Sequence, residues 1–310
     1  MSSAAGPLAL ELGVKSDPIE YRYSFDWLFA LMERNGIRQL QLGSFFELYQ
    51  LEDSWFRELR AKAADHGIAI TSVFTAHREL GGFFEGDPRF EAVARRNFER
   101  LIEVAALVGA RHVGSNPGAA YRDRMGDKAA GLARYSSHVK DLTRKACDLG
   151  LEALTLEPMS CSAEPPTTAA EIRSLMEDFA AFHAANPGTT VPVYLCGDIS
   201  HGLADESKHV LEGNIELFEA GIPWMCEFHL KNTDANFGST FGFGPEERAR
   251  GIVDLSSVFA LARRRAADWP LRRVVAYLEI GGPKLGRDWS DKLLGRQLEE
   301  SLLHAKEALG

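Results

Sequence analysis

Short apolar runs recur along the chain, and each is followed by a longer stretch whose apolar residues return every three or four positions. The runs are LALELG (8–13), IRQLQLG (37–43), IAITSVFTA (68–76), ARHVGS (110–115), LEALTLE (151–157), VPVYLCGD (191–198), WMCEFHLK (224–231) and RRVVAYLE (272–279). Runs this short, rich in branched residues and bounded by Gly or polar residues, predict buried strands, and the helical period of the stretches between them predicts helices. Those stretches lie near 24–35, 53–66, 88–108, 127–149, 168–185, 206–220, 254–267 and 288–308.

Eight strand-helix units without a Pro/Gly/Ser-rich linker predict a parallel α/β fold, one (β/α)8 TIM barrel forming a single domain over 1–310. A doubly wound open sheet is the alternative architecture, and residues 1–7 are expected to be a disordered N-terminus. Asn35-Gly36, His66-Gly67, Val108-Gly109 and Leu149-Gly150 fit left-handed helix ends, while Asp53 and Thr167 suit helix starts. The connections from helix to strand are short. Those after strands three, five, seven and eight are long and polar, which marks the C-terminal face of the barrel as the working face.

The composition is that of an ordinary globular chain of 310 residues, 45% hydrophobic and 25% charged, which excludes disorder, collagen and coiled coil. A net charge of −9 opposes docking on a nucleic-acid backbone. No run reaches the ~18 to 20 apolar residues of a membrane span, and no basic and apolar leader follows Met1. Cys147, Cys161, Cys196 and Cys226 form no CxxC pair and read as reduced thiols. A cytoplasmic protein without nucleic-acid or membrane partners is expected.

The ionisable residues fall at particular places in this pattern. Glu157 ends strand five, Asp198 ends strand six with His201 three residues later, His229 lies near the end of strand seven and Glu279 ends strand eight. Any one of these alone reads as a helix cap, an ion-pair partner or a core histidine. In the eight-strand register all fall on one rim, and three carboxylates there would repel without a cation. Hard oxygens and one imidazole suit a single divalent ion, Mn2+ before Mg2+, Co2+ or Zn2+.

TLEPM (155–159), the Asp-x-x-His of GDISHG (197–202), FHLKNTD (228–234) and YLEIGGP (277–283) occur in order, each at its own strand. With these motifs the chain resembles the xylose isomerase-like barrels, a superfamily of sugar-phosphate isomerases and epimerases, ketose 3-epimerases, hydroxypyruvate isomerase, inosose dehydratase and endonuclease IV. The resemblance to the epimerase branch implies that Glu157, Asp198, His229 and Glu279 bind the metal. It also implies that Glu157 and Glu279 move protons and that His201 touches substrate.

A divalent ion chelated by a ketose carbonyl and the neighbouring hydroxyl acidifies the C–H between them and stabilises the enediolate left when the proton departs. One glutamate can take the proton and the other return it. Return to the opposite face of the same carbon is epimerisation, and delivery to the neighbouring carbon is aldose-ketose isomerisation; both remain open. The segment GGPKLGRD (281–288) opens the last helix with two Gly, Lys284 and Arg287, either a phosphate cradle or a solvated connection.

A small sugar or sugar phosphate is the expected substrate, with a tetrulose phosphate suggested by similarity to polyol-catabolic relatives. His77, Asn116, Lys231, Lys284 and Arg287 are further candidate substrate contacts. The loops 77–90 and 236–244 can close over the pocket, while Phe45, Phe46, Phe83 and Phe84 either wall it or simply pack.

An inosose dehydratase-like lyase and a non-catalytic sugar-binding barrel are the rival functions. An endonuclease IV-like nuclease is opposed by Asn116, which stands where that branch has a zinc-binding His, and by the lack of a second His after strand seven. The family resemblance makes a homodimer the default assembly.

Overall fold

A computed structural model describes residues 7–19, 22–43, 45–75, 80–280 and 291–310. Its eight principal strands are β1 (Ala9–Lys15), β2 (Gln39–Leu42), β3 (Ala69–Thr75), β4 (His112–Ser115), β5 (Ala153–Leu156), β6 (Val193–Asp198), β7 (Met225–Leu230) and β8 (Arg273–Leu278). They form a closed barrel in the order β1-β8-β7-β6-β5-β4-β3-β2, so that spatial order follows chain order. The helices are α1 (Phe25–Arg34), α2 (Asp53–Asp65), α3 (Pro88–Val108), α4 (Lys128–Asp148), α5 (Ala169–Ala185), α6 (Asn214–Gly221), α7 (Pro245–Arg250), α8 (Leu255–Arg264) and α9 (Leu294–Leu309). This is the expected (β/α)8 barrel; the open doubly wound sheet is set aside because that sheet would have two edges.

Packing divides the chain into two compact units, one of residues 1–43, 62–69 and 197–310 and the other of residues 44–61 and 70–196. In the first, β1 pairs in parallel with β2 and β8, and β8 pairs with β7. Phe228 packs edge-on to Phe218 of α6, with ring centroids 5.1 Å apart. Each such ring, once out of water, contributes about 1.5–3 kcal/mol. In the second unit β3, β4 and β5 pair successively in parallel, and β5 pairs with the start of β6. Phe56, Phe98 and Phe179 are fully buried there.

Local chemistry sets the helix boundaries. Ser24 accepts a hydrogen bond from the Trp27 N–H to start α1, and Asp87, followed by Pro88, starts α3. Gly36, Gly67, Gly109 and Gly150 take the left-handed conformation expected at the helix ends. The start of α5 is capped by Thr168 rather than Thr167; the Glu171 carboxylate instead accepts from the Thr167 N–H. Asp53 is the first residue of α2 itself.

One expected helix, 206–220, is mostly something else. Leu203–Ala204 and Val210–Glu212 form a two-stranded antiparallel ribbon, and α6 begins only at Asn214. The cause is Asp205, whose Oδ1 accepts from the Ser207 and His209 N–H groups and so closes a turn in which Lys208 is left-handed. Val210 and Leu211 are exposed on that ribbon, so their apolar character is not a helix face.

Candidate metal centre and active site

Strand register builds the site in the first unit. Val14 and Leu230 both pair with Leu278, so the residues that follow, Lys15, Lys231 and Glu279, form one row, which Gln41 joins as the partner of Lys15. Paired residues of parallel strands share a face, and along a strand the faces alternate. His229 and Glu227, two and four residues before Lys231, therefore share this polar face, while Phe228 and Leu230 point the other way.

The resulting contacts are close. His229 Nδ1 lies 2.9 Å from Glu279 Oε2 and 3.9 Å from Asp198 Oδ2. Lys231 Nζ bridges the same two oxygens, at 2.8 Å from Glu279 and 2.7 Å from Asp198. Lys15 Nζ reaches Glu279 Oε1 at 2.9 Å and Asp17 Oδ2 at 3.0 Å. Asp17 in turn sits where Gly43 has no side chain: a Cβ there would lie 1.6 Å from Asp17 Oδ1.

Asp198 is aimed by its own turn. Both the N–H and the hydroxyl of Ser200 donate to Oδ1, each at 2.7 Å, which leaves Oδ2 to face His229, Lys231 and, at 3.5 Å, His201 Nε2. Asp198, His229 and Glu279 each bring one donor atom within 4.8 Å of the others.

Burial and charge oppose each other here. Burial alone would raise the Glu279 carboxyl, but His229, Lys15 and Lys231 together hold it well below the usual carboxylate range. Burial raises Asp17; Lys15 opposes that rise and the Glu279 charge adds to it. Asp198 Oδ2 and Glu279 Oε2 are buried without a well-directed hydrogen-bond donor among the described residues, although the Lys231 ammonium faces both. Two carboxylates and an imidazole nitrogen are the donor types that a hard divalent cation takes.

The second unit contributes its own pair. Ser115 pairs with Leu156, so Asn116 and Glu157 stand side by side just past the ladder, and Asn116 Nδ2 donates to Glu157 Oε2 at 2.6 Å. The same amide lies 2.9 Å from Met159 Sδ. Glu157 and Asn116 are both buried.

Of the residues singled out by sequence, Asp198, His201, His229, Lys231 and Glu279 thus meet in one unit, and Asn116 and Glu157 meet in the other. His77, Lys284 and Arg287 lie outside the described residues. The aromatic pairs are used differently. Phe83 and Phe84 are buried, Phe83 stacked on His138 and Phe84 against Gly118 and Gly131, whereas Phe46 is exposed and Phe45 packs on Trp55. In the loop after β7, Phe237 lies against Gly202, beside His201.

Lys15, Asp17, Gln41 and Glu227 were not anticipated. For Lys15, Gln41 and Glu227 the signal in the sequence is polar residues at alternate positions of otherwise apolar strands, as in QLQL (39–42) and EFHLK (227–231); Asp17 lies in the turn after β1.

No helix among the described residues is long and apolar enough to cross a membrane, and none of the four cysteines is in a disulfide. No curated protein matches the chain in sequence. Solved structures do match in fold. A D-psicose 3-epimerase from Clostridium cellulolyticum H10, solved with D-tagatose, is 16% identical with a TM-score of 0.71, over 96% of this chain and 99% of that one. A D-psicose 3-epimerase solved in the presence of D-fructose is 17% identical with a TM-score of 0.69, over 97% and 99%. A xylose isomerase-like TIM barrel protein from Mycobacterium smegmatis, in complex with magnesium, is 16% identical with a TM-score of 0.62, over the full length of both. The family model described as xylose isomerase-like TIM barrel matches residues 29–271, and with the barrel topology and the strand-end carboxylates already in place, the chain belongs to that family.

Proposed function

We propose that this chain is a metal-dependent isomerase or epimerase of a small ketose or ketose phosphate. Glu157, Asp198, His229 and Glu279 are the ligands of one divalent ion, and Glu157 and Glu279 are the acid/base pair. The observation that carries the reading is the meeting of Asp198, His229 and Glu279, which bring two carboxylates and an imidazole nitrogen within 4.8 Å of one another. The strand order supports Glu157 as the fourth ligand, because β5, β6, β7 and β8 are consecutive around the barrel. The psicose epimerases and the magnesium-bound relative, similar in fold, support the substrate class and the metal.

The bound ion supplies Lewis-acid polarisation of a ketose carbonyl and the adjacent hydroxyl. The side chains do the rest. Glu279, held ionised, is ready to take a proton from the carbon between those oxygens, and Glu157, steadied by Asn116, delivers one from the other side. His201 and Lys231 contact substrate oxygens, as do His77 and Asn116. Lys284 and Arg287 anchor a phosphate, which makes a short phosphorylated ketose such as a tetrulose phosphate the preferred substrate. Mn2+ is the preferred metal, ahead of Mg2+, Co2+ and Zn2+. A cytoplasmic homodimer working as a single barrel domain completes the reading.

NMR in D2O tests it: free and phosphorylated ketoses are incubated with Mn2+-loaded protein, and deuterium uptake is followed beside the carbonyl. Uptake lost in both Glu157→Gln and Glu279→Gln is expected. Loss of water from the substrate without exchange would point to a lyase, and uptake confined to free sugars would remove the phosphate anchor.

A further inference from the structure

The tautomer of His229 is set by a buried relay. Its Nδ1 faces Glu279 and Asp198, and its Nε2 lies 2.7 Å from Gln41 Oε1. At the other end of the same amide, Gln41 Nε2 donates to Glu227 Oε1 at 3.3 Å. All three residues are at most 1% exposed, so bulk water does not stand in for any of them.

Donor and acceptor chemistry fixes the direction of the relay. A carboxylate accepts hydrogen bonds, so the Glu227 side turns the NH2 of the Gln41 amide towards itself and the carbonyl towards His229. A carbonyl only accepts, so His229 Nε2 must carry the proton. Nδ1, which faces the carboxylates, is then the nitrogen that gives up its proton and offers its lone pair when a metal binds; without a metal its N–H faces Glu279 at 2.9 Å. A flipped Gln41 amide would set its NH2 against the Nε2–H, and the ring could relieve that contact only by moving its proton to Nδ1, where it would block a ligand bond. A histidine ligand is ordinarily fixed through its second nitrogen in this way, and losing such a partner lowers metal affinity by about 10- to 100-fold.

We infer that Gln41, oriented by Glu227, is a positioning residue that presents His229 Nδ1 to the metal. The inference rests on the reading of His229 as a ligand. Gln41 belongs to β2 and His229 to β7, with β1 and β8 between them in the barrel order, so the relay ties together strands that are not neighbours.

The test compares chelator-stripped wild type with Gln41→Met and with the exchanged pair Gln41→Glu/Glu227→Gln. In the pair a carboxylate at 41 accepts from both His229 and the new amide. Mn2+ affinity is measured by titration. With diamagnetic Mg2+ or Zn2+ bound, the 15N spectrum of the His229 ring reports which nitrogen carries the proton. Expected are a loss of about 10- to 100-fold in Mn2+ affinity for Gln41→Met, recovery to within about threefold of wild type in the exchanged pair, and an Nε2 proton in wild type.

Unchanged affinity in a folded Gln41→Met, or a metal-loaded wild type with the proton on Nδ1, overturns the relay and leaves the metal reading standing. A wild type that binds no divalent ion overturns both. If Gln41→Met does not fold, the ring spectrum of wild type and the affinity of the exchanged pair decide the matter.

Discussion

The ammonium of Lys231 stands 2.7 Å from Asp198 Oδ2 and 2.8 Å from Glu279 Oε2, between two carboxylates that would otherwise repel. It occupies the charge position that a cation would take between those oxygens. Lys231→Met should therefore lower the stability of the metal-free protein by up to about 3–5 kcal/mol, the cost of removing one partner from a buried ion pair, with Lys15 and His229 still beside Glu279 to moderate it. Added Mn2+ should restore more stability to the variant than to wild type, because the ion no longer competes with an ammonium. Thermal unfolding with chelator and with Mn2+ measures both effects; equal gains in the two proteins would mean that ammonium and ion do not share oxygens.

Asn116 donates to Glu157 at 2.6 Å, a short contact between two buried side chains. A hydrogen bond to a charged group contributes about 1.5–3 kcal/mol, so Asn116→Leu should lower turnover by roughly 10- to 150-fold while the barrel remains folded. Steady-state kinetics beside a circular dichroism spectrum will show this. A variant with wild-type kcat would remove Asn116 from the proton-carrying machinery.

Glu171 offers a test away from the site. Burial pushes its carboxyl up, but Lys128 and the N–H and hydroxyl of Thr167 outweigh that and hold it below its ordinary value. A depressed carboxyl contributes stability above its unfolded pKa of about 4.3, and that contribution disappears as the pH falls through the folded value. The difference in unfolding free energy between wild type and Glu171→Gln should be flat from neutral pH to about pH 5 and shrink towards zero in acid. A difference that grows on acidification would reverse the assignment.

Gly131 of α4 lies against the Phe84 ring, and a Cβ there would come within 2.5 Å of it. Overpacking a buried ring in this way costs about 1–3 kcal/mol, and Gly131→Ala should show that loss in denaturant unfolding. Gly126, where an added Cβ would meet nothing within 4 Å, is the control: Gly126→Ala should stay within about 0.5 kcal/mol of wild type.

The order of strands and helices, the left-handed glycines at four helix ends and the strand-end positions of Glu157, Asp198, His229 and Glu279 were legible in the sequence. Each depends on short-range chemistry: apolar periodicity, cap preference and the two-residue alternation of a strand. That same locality explains the misread segment 206–220, where apolar spacing predicted a helix and the Asp205 carboxylate closed a turn instead.

What the tertiary structure alone decided is who stands beside whom. Lys15 and Glu279 are 264 positions apart and Gln41 and His229 are 188 apart, yet both pairs are in hydrogen-bond contact. In the sequence Lys15, Gln41 and Glu227 are only polar residues in apolar strands. Barrel closure and parallel register bring them into one row, and there burial removes the water that would otherwise screen their charges, so that neighbours chosen by register set the charge state of Glu279 and the orientation of His229.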